Sequence, residues 1–163
     1  MAEIKVEKPS KAKYTIRVIT APYVRYEHTF GKVYSIPCNY NRDVVGSCDI
    51  CYDYSSSMPY WHVGVIDRDI NEVIILKLNF KYFYQFRQLA TDPNWGEPKH
   101  YDIDLYTNPI MSCALPKSPL SESDRLLASK IDKDYLVKLT TPPSSDEINI
   151  LYKKFKEKLA VLL

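Results

Sequence analysis

The residues whose types and spacing could do chemistry are one histidine and three cysteines, in the pattern His28-x9-Cys38-x9-Cys48-x2-Cys51. A Cys-x2-Cys pair on one turn brings two thiolates to the same ion, and a neighbouring hairpin can supply two further ligands. Three sulfur ligands and one nitrogen favour a closed, tetrahedral Zn²⁺ site of the structural kind. The sequence therefore predicts one structural zinc ion, whose binding energy would contribute to folding.

The identity of the histidine ligand stays open on spacing alone. His62 follows Cys51 closely enough to serve in place of His28. Cys113 is distant from the others, and we expect it to be an ordinary thiol. The opening residues lack the apolar stretch of a secretory leader, so nothing points to an oxidising compartment. Clustered thiols in such a chain favour metal over disulfides.

Aromatic and basic residues interleave along the same part of the chain, which contains 14 tyrosines in all. Exposed rings stack on bases for about 1–3 kcal/mol each, and lysine or arginine can follow the phosphates. This combination suits single strands, because a duplex hides the faces of its bases. The candidate nucleic-acid contacts are Trp61, Tyr60, Tyr84, Tyr26, Tyr40, Arg25, Lys32, Arg42, Lys81 and Arg87.

Aromatic residues also fill cores, so we expect many of these rings to be buried. Phe80, Phe83 and Phe86 are predicted to pack mainly in the core. Because adjacent residues on a strand point to opposite faces, one of Tyr60 and Trp61 should be buried and the other exposed.

The formal net charge is +2, but the charges are segregated. Residues 1–42 hold eight Lys/Arg and three Glu, net +5, whereas residues 43–72 hold one Arg and six acids, net −5. Such blocks can be ordinary solvated surface or parts of a basic stripe. Charge alone does not choose between these interpretations.

Enzymatic motifs are weak in this sequence. Asp67-x-Asp69 and Asp102-x-Asp104 resemble carboxylate pairs that hold Mg²⁺, but a turn and a strand explain them as well. The sequence lacks a P-loop, a dinucleotide-binding glycine motif, a serine elbow and a zinc-deaminase signature, and its 4 glycines leave little room for the glycine-rich ones. We therefore predict a protein that is not an enzyme.

Hydrophobic patterning predicts several short strands followed by helices. Residues 1–13 are polar and lysine-rich and are predicted to form a flexible basic arm. Beyond Pro109 we expect short pieces broken by prolines, and then a terminal helix over about 145–161. Ser144 and Glu147 are spaced as a capping box at its start. The predicted strands are 14–20, 23–30, 32–36, 60–67, 72–79 and 101–106, and the predicted helix before the last of them is 80–90.

Residues 14–90 resemble the core of the single-stranded DNA-binding proteins of large tailed bacteriophages, the helix-destabilising replication type. The resemblance lies in TIRVITAPYVRYEHTFGKVYSIPC, in SCDIC and in YWHVGVIDRDINEVIILKLNFKYFYQF, and it continues more loosely to about residue 160. Two departures are the short N-terminal arm and the ending YKKFKEKLAVLL, where the family usually carries an acidic tail.

The resemblance implies a mainly β (α+β) fold: one OB-like DNA-binding domain over 14–163, with a zinc subdomain inserted at about 28–58. DNA would lie in a groove between barrel and zinc subdomain. The resemblance also implies His28 over His62 as the fourth zinc ligand, and it makes Trp61 the best candidate for base stacking.

The function so implied is binding of single-stranded DNA with little sequence preference in phage replication, recombination or repair. It places the protein in the cytoplasm of an infected bacterial host, with replication or recombination proteins and further copies of the chain as partners. The alternatives are a zinc-stabilised protein-interaction adaptor without nucleic-acid binding and a binder of single-stranded RNA. No apolar run reaches the length of a membrane span, so no membrane partner is expected.

Overall fold

The fold is a mixed α+β arrangement in a computed structural model that describes residues 3–30, 34–38, 48, 51 and 57–162. Within these residues the strands are β1 Val6–Glu7, β2 Lys13–Val18, β3 Tyr23–Phe30, β4 Tyr34–Pro37, β5 Met58–Asp67, β6 Glu72–Leu78, β7 Tyr101–Thr107 and β8 Ile110–Lys117. The helices are α1 Phe80–Thr91, α2 Glu122–Ala128, α3 Lys133–Thr140 and α4 Ser145–Leu162.

The strands of these described residues form one largely antiparallel sheet in the order β1-β6-β5-β2-β7-β8, and β3 pairs with β4 and β5. The order has two ends, so the sheet is not closed. By contacts the chain divides into two compact parts, unit 1 (residues 1–23 and 61–139) and unit 2 (residues 24–60 and 140–163). The terminal helix belongs to the same unit as residues 24–60.

The hairpin of β5 and β6 is the centre of unit 1. Its strands are antiparallel, with Asp67 opposite Glu72, and the turn between them contains Asn71 at φ 53. Asparagine tolerates this left-handed conformation better than most residues. The apolar run of β6 is buried on both faces of the sheet, which explains why it does not alternate with polar residues.

Each face of this hairpin has its own core. On one face Ile74 and Leu76 pack in a cluster that includes Phe86 of α1. On the other face Val73 and Ile75 pack with residues that α2, α3 and their connection supply. The two clusters enclose the hairpin between layers of apolar side chains, so unit 1 has a substantial core of its own.

Helix α1 follows β6 directly and is delimited by local signals. The Asn79 side chain accepts a hydrogen bond from the Tyr82 amide at 3.2 Å, which caps the first turn. The helix ends at Thr91, just before Asp92-Pro93, as the sequence predicted. Its exposed and buried faces are therefore fixed relative to β6.

The flexible-arm prediction for residues 1–13 needs correction. Val6–Glu7 form β1 and pair in parallel with Ile75 and Leu76 of β6. Lys11 donates a 2.7 Å hydrogen bond to the buried carboxylate of Asp67. Burial alone would lower the pKa of Lys11, but the contact with Asp67 raises it above its usual value. Pairing to a buried strand and a buried carboxylate thus hold this polar segment in place.

The region beyond Pro109 contains more regular structure than the sequence indicated. β8 pairs antiparallel with β7 from Thr107↔Ile110 to Tyr101↔Lys117, despite Pro116 near its end. A proline is tolerated there because β8 is an edge strand with a single neighbour among the described strands. Ser121 and Asp124 then form a capping box at the start of α2, which sequence analysis overlooked.

Four charged residues of unit 1 form a network of ion pairs. The Arg17 side chain is buried, and its Nε donates to Asp102 Oδ1 at 2.7 Å. Arg68 donates to the same Asp102 carboxylate and also binds Asp124, with Nη2 3.0 Å from Oδ2. The Arg68 guanidinium holds the pKa of Asp124 below its usual range. Asp124 therefore links the start of α2 to the β5–β6 turn electrostatically.

The described residues of unit 2 form a smaller core. His28 of β3 lies opposite Ile36 of β4, and the Cys38 amide donates to the Tyr26 carbonyl at 2.8 Å. At the start of α4, Ser144 and Glu147 form the predicted capping box, with hydrogen bonds of 3.3 and 3.2 Å. The terminal helix is confirmed. Its residues Ile148, Leu151, Tyr152 and Phe155 face the core of this unit, whereas Ile150 is exposed.

Candidate metal centre and aromatic surface

The four residues of the His28-x9-Cys38-x9-Cys48-x2-Cys51 pattern converge at one point in unit 2. Their ligand atoms all lie within 4.8 Å of one another. His28 Nε2 is 3.3 Å from Cys51 Sγ and 3.5 Å from Cys48 Sγ, and Cys38 Sγ is 3.4 Å from Cys51 Sγ. Ligands at normal Zn–S and Zn–N distances are about 3.5–3.8 Å apart in a tetrahedron. The donor set fits a tetrahedral metal ion.

The surroundings of this cluster favour a structural role for the ion. His28, Cys38 and Cys48 are buried, and only Cys51 is half-buried. Burial raises the pKa of the Cys51 thiol, so without a metal ion the neutral thiol is favoured. A site with four protein ligands and little solvent access resembles structural rather than catalytic zinc centres, which keep a position open.

The cluster is also part of the hydrophobic core of unit 2. Cys38 and Cys48 pack in one group with Ile148, Tyr152 and Phe155 of α4. The terminal helix therefore lies against the thiols through its apolar face. The thiols and the apolar helix face were both predicted from the sequence, but nothing in the local pattern indicated that they would pack together.

The other histidine and the fourth cysteine lie elsewhere. His62 is buried on β5, opposite Lys77 of β6, in unit 1. Cys113 is exposed on β8, opposite Asp104. Of the two histidines that spacing left open, His28 is the one whose ring nitrogen meets the thiols.

The predicted carboxylate pairs take part in contacts that stabilise unit 1. Asp67 binds Lys11, and Asp102 binds Arg17 and Arg68. Asp104 accepts a hydrogen bond from the Thr15 hydroxyl at 2.6 Å. These partners explain the two Asp-x-Asp patterns without a metal ion.

Trp61 lies in a ring stack. Its indole is parallel to the Phe83 ring, with 4.4 Å between centroids and 1° between planes. Both Tyr60 and Trp61 are half-buried, rather than one buried and one exposed as predicted. The Tyr60 hydroxyl is 3.2 Å from the Thr29 hydroxyl in unit 2. Because the Phe83 ring stacks on Trp61, one face of the indole is already covered.

The most accessible aromatic surface in unit 1 is the outer face of α1, which we call the aromatic–basic face. Phe80 is 58% and Tyr84 44% exposed, and their rings are 5.9 Å apart. Lys81 and Arg87 are exposed on the same helix, which carries no acidic residue. Tyr84, Lys81 and Arg87 were predicted contacts, and the structure brings them together on one helix.

Phe80 is the residue of this face that sequence analysis missed, since it was predicted to be mainly in the core. Phe86 is indeed buried and Phe83 half-buried, but Phe80 points outward. The i, i+4 spacing of Phe80 and Tyr84, away from Phe86, was the available signal.

The remaining predicted contacts divide into two groups. Arg25 forms an ion pair with buried Glu27, and Tyr26 packs against the core of unit 2. A charge already paired with a carboxylate is less available to phosphates. Lys32, Tyr40 and Arg42 lie outside the described residues.

Comparisons with known proteins found no match to this chain. No protein-family model, no curated protein and no solved structure matches the chain. Within the described residues, no helix is long and apolar enough to cross a membrane. The geometry of the two units therefore carries the functional interpretation.

Proposed function

We propose that the protein binds single-stranded DNA with little sequence preference, through the aromatic–basic face of α1. The observation that carries the proposal is the pair of exposed rings, Phe80 and Tyr84, beside two cations on a helix without acids. Rings that stack on bases and cations that meet phosphates are the two elements of sequence-tolerant single-strand binding.

Charge on this face is available for phosphates. Within the part of the chain that the structure describes, neither Lys81 nor Arg87 has an ion pair with a carboxylate. Phe80 and Lys81 lie in the first turn of α1. The positive end of the helix dipole at this turn favours the binding of anions such as phosphate. The overall net charge of +2 is thus no obstacle, since local charge decides.

Further parts of the proposal come from the resemblance. They are an OB-like arrangement of the strands of unit 1, a structural Zn²⁺ ion on His28, Cys38, Cys48 and Cys51, and a role in phage DNA replication, recombination or repair inside the bacterial host. Replication or recombination proteins and neighbouring copies on the strand are the proposed partners. When bound, zinc would fix the four ligands and hence the packing of α4.

The test is a titration of fluorescent oligo-dT and of a duplex of equal length at two salt concentrations. We expect the single strand to bind more tightly, with an affinity that falls as salt rises because counterions are released. Equal or tighter binding of the duplex, or binding that salt does not change, would refute the proposal. An oligo-rU arm separates DNA from RNA preference, and no binding to any strand would favour the adaptor alternative.

Two variants locate the contact. Tyr84→Ala should weaken oligo-dT binding by about 1–3 kcal/mol, because an exposed ring that stacks on a base is lost. Met111→Ala is the control, since this side chain is also exposed but lies on β8. An equal effect of both changes would remove the aromatic–basic face from the interface.

A further inference from the structure

Unit 1 holds a cavity of about 570 Å³ next to the aromatic–basic face. Its walls come from residues 18–22, from Val63 of β5, from the inner side of α1 and from residues 97–99. Pockets that bind small organic ligands usually have about 300–1,000 Å³, mostly apolar walls and few polar groups. The cavity fits this description, because most of its lining side chains are aliphatic or aromatic.

The helix side of the cavity is built from Phe83, Phe86 and Ala90. Phe86 is buried, and Phe83 is held in position by its parallel stack on Trp61. Val18 and Val63 line the strand side. The walls are therefore apolar and fixed by packing, which suits a flat, uncharged group.

The polar groups at the cavity carry a net positive charge. Lys99 Nζ lies 2.9 Å from Glu97, so these two side chains largely neutralise each other. Arg87 is exposed, and among the described residues no carboxylate forms an ion pair with it. An occupant that joins a flat apolar part to an anionic group would satisfy both the walls and Arg87.

Hydrogen-bonding groups inside the walls are already engaged. The Thr20 hydroxyl donates to the Ala21 carbonyl at 3.0 Å and accepts from the Gly64 amide at 2.8 Å. Pro22 and Pro98 have no amide hydrogen to offer. The walls thus have little means to read the hydrogen-bonding edge of a ligand.

We propose that this cavity receives one nucleobase of a bound single strand, with the Arg87 guanidinium on the adjacent phosphate. The inference rests on the proposed single-strand binding and adds a defined base subsite to it. Arg87 belongs both to the aromatic–basic face and to the rim of the cavity, so one strand can reach both. Because the walls do not read base edges, any base can enter, which agrees with weak sequence preference.

The first test uses the unmodified protein and two small probes. Thymidine 5′-monophosphate should shift the methyl NMR signals of Val18, Val63 and Ala90, whereas deoxyribose 5-phosphate should leave them unchanged. Equal shifts from both probes, or no shift from the nucleotide at millimolar concentration, would overturn the base subsite.

The second test uses matched variants in oligo-dT titrations. Ala90→Trp fills the cavity and should weaken binding about 5- to 150-fold, the loss of one stacked base. Leu126→Trp places the same ring at an exposed position of α2, outside both the cavity and the aromatic–basic face, and should stay within about twofold of wild type, well short of the loss of one stacked base. Arg87→Ala should weaken binding and also reduce the salt slope by about 0.7, the loss of one single-strand phosphate contact.

The possible outcomes distinguish failure of the base subsite from failure of single-strand binding. If wild type binds oligo-dT but Ala90→Trp and Leu126→Trp bind alike, the base subsite is wrong and single-strand binding stands. If wild type binds no oligonucleotide, the proposed function fails and the subsite fails with it. Far-ultraviolet circular dichroism establishes that each variant is folded, and the nucleotide experiment decides the subsite without any variant.

Discussion

The two units differ in what holds them together. Unit 1 encloses its β5–β6 hairpin between two clusters of buried aliphatic and aromatic side chains. Unit 2 has one described cluster, and two of its buried members are the thiols of Cys38 and Cys48. Burial of apolar area can stabilise unit 1 by itself, whereas the core of unit 2 contains the four side chains of the candidate metal centre. We therefore expect unit 1 to fold on its own core and unit 2 to depend on metal.

The largest expected effect comes from removing one ligand of unit 2. Cys48→Ser should abolish stoichiometric zinc binding and unfold unit 2, because structural zinc sites contribute on the order of 10 kcal/mol. Mass spectrometry measures the zinc content, and far-ultraviolet circular dichroism measures the loss of helix that unfolding of α4 would cause. Cys113→Ser is the matched control, since this thiol is exposed on β8. A Cys48→Ser protein with full zinc content would contradict the assignment.

A pair of core truncations should act differently in the two units. Phe155→Ala in unit 2 should lower the free energy of unfolding by about 3–5 kcal/mol. It should also make zinc easier to remove with a chelator, because this ring packs with the thiols. Leu76→Ala in unit 1 should cost about 2–5 kcal/mol without changing zinc retention. Denaturant unfolding and chelator competition measure both quantities. Equal effects on zinc retention would remove the distinction between the units.

The charged network of unit 1 should make its stability fall in acid. Since Arg68 lowers the pKa of Asp124 in the folded state, this carboxylate stabilises unit 1 above its unfolded pKa of about 3.9. That stability is lost as the pH falls through the folded pKa. Asp124→Asn should lower the free energy of unfolding by about 1.5–3 kcal/mol at neutral pH and reduce the loss of stability in acid. Exposed Asp134→Asn is the control. If Asp124→Asn loses as much stability in acid as wild type, the role of the ion pair is contradicted.

The smallest expected effect on stability belongs to the aromatic–basic face. Phe80→Ala should change the free energy of unfolding by about 0.5 kcal/mol or less, because its ring is mainly in solvent. Thermal unfolding measures the change. A loss similar to that of Leu76→Ala would mean that Phe80 supports the core, and its part in strand binding would have to be withdrawn.

Local chemistry in the sequence was enough to predict the clustered thiols and most elements. The spacing of the thiols, the β-branched runs and the Ser144–Glu147 capping box are signals within a few residues of one another. The choice of His28 over His62 was different, since both residues follow strand patterns. That choice depends on which strand folds beside the thiols, and spacing alone left it open.

Long-range contacts explain what sequence analysis missed. Val6–Glu7 form a strand only because β6 offers them an edge, and no local pattern shows that partner. Pro116 suggested irregular chain, but on an edge strand it costs no hydrogen bond of the ladder. Phe80 was assigned to the core from its type, while its position relative to Phe86 on the helix decides its exposure.

Hydrogen exchange with and without a zinc chelator tests the difference between the units most directly. We predict that chelation removes amide protection from residues 24–60 and 140–163 and leaves residues 61–139 protected, since only the first two segments belong to the unit that contains the ligands. Protection that persists in unit 2, or that disappears equally from both units, would contradict a metal-dependent unit beside one that folds on its own core.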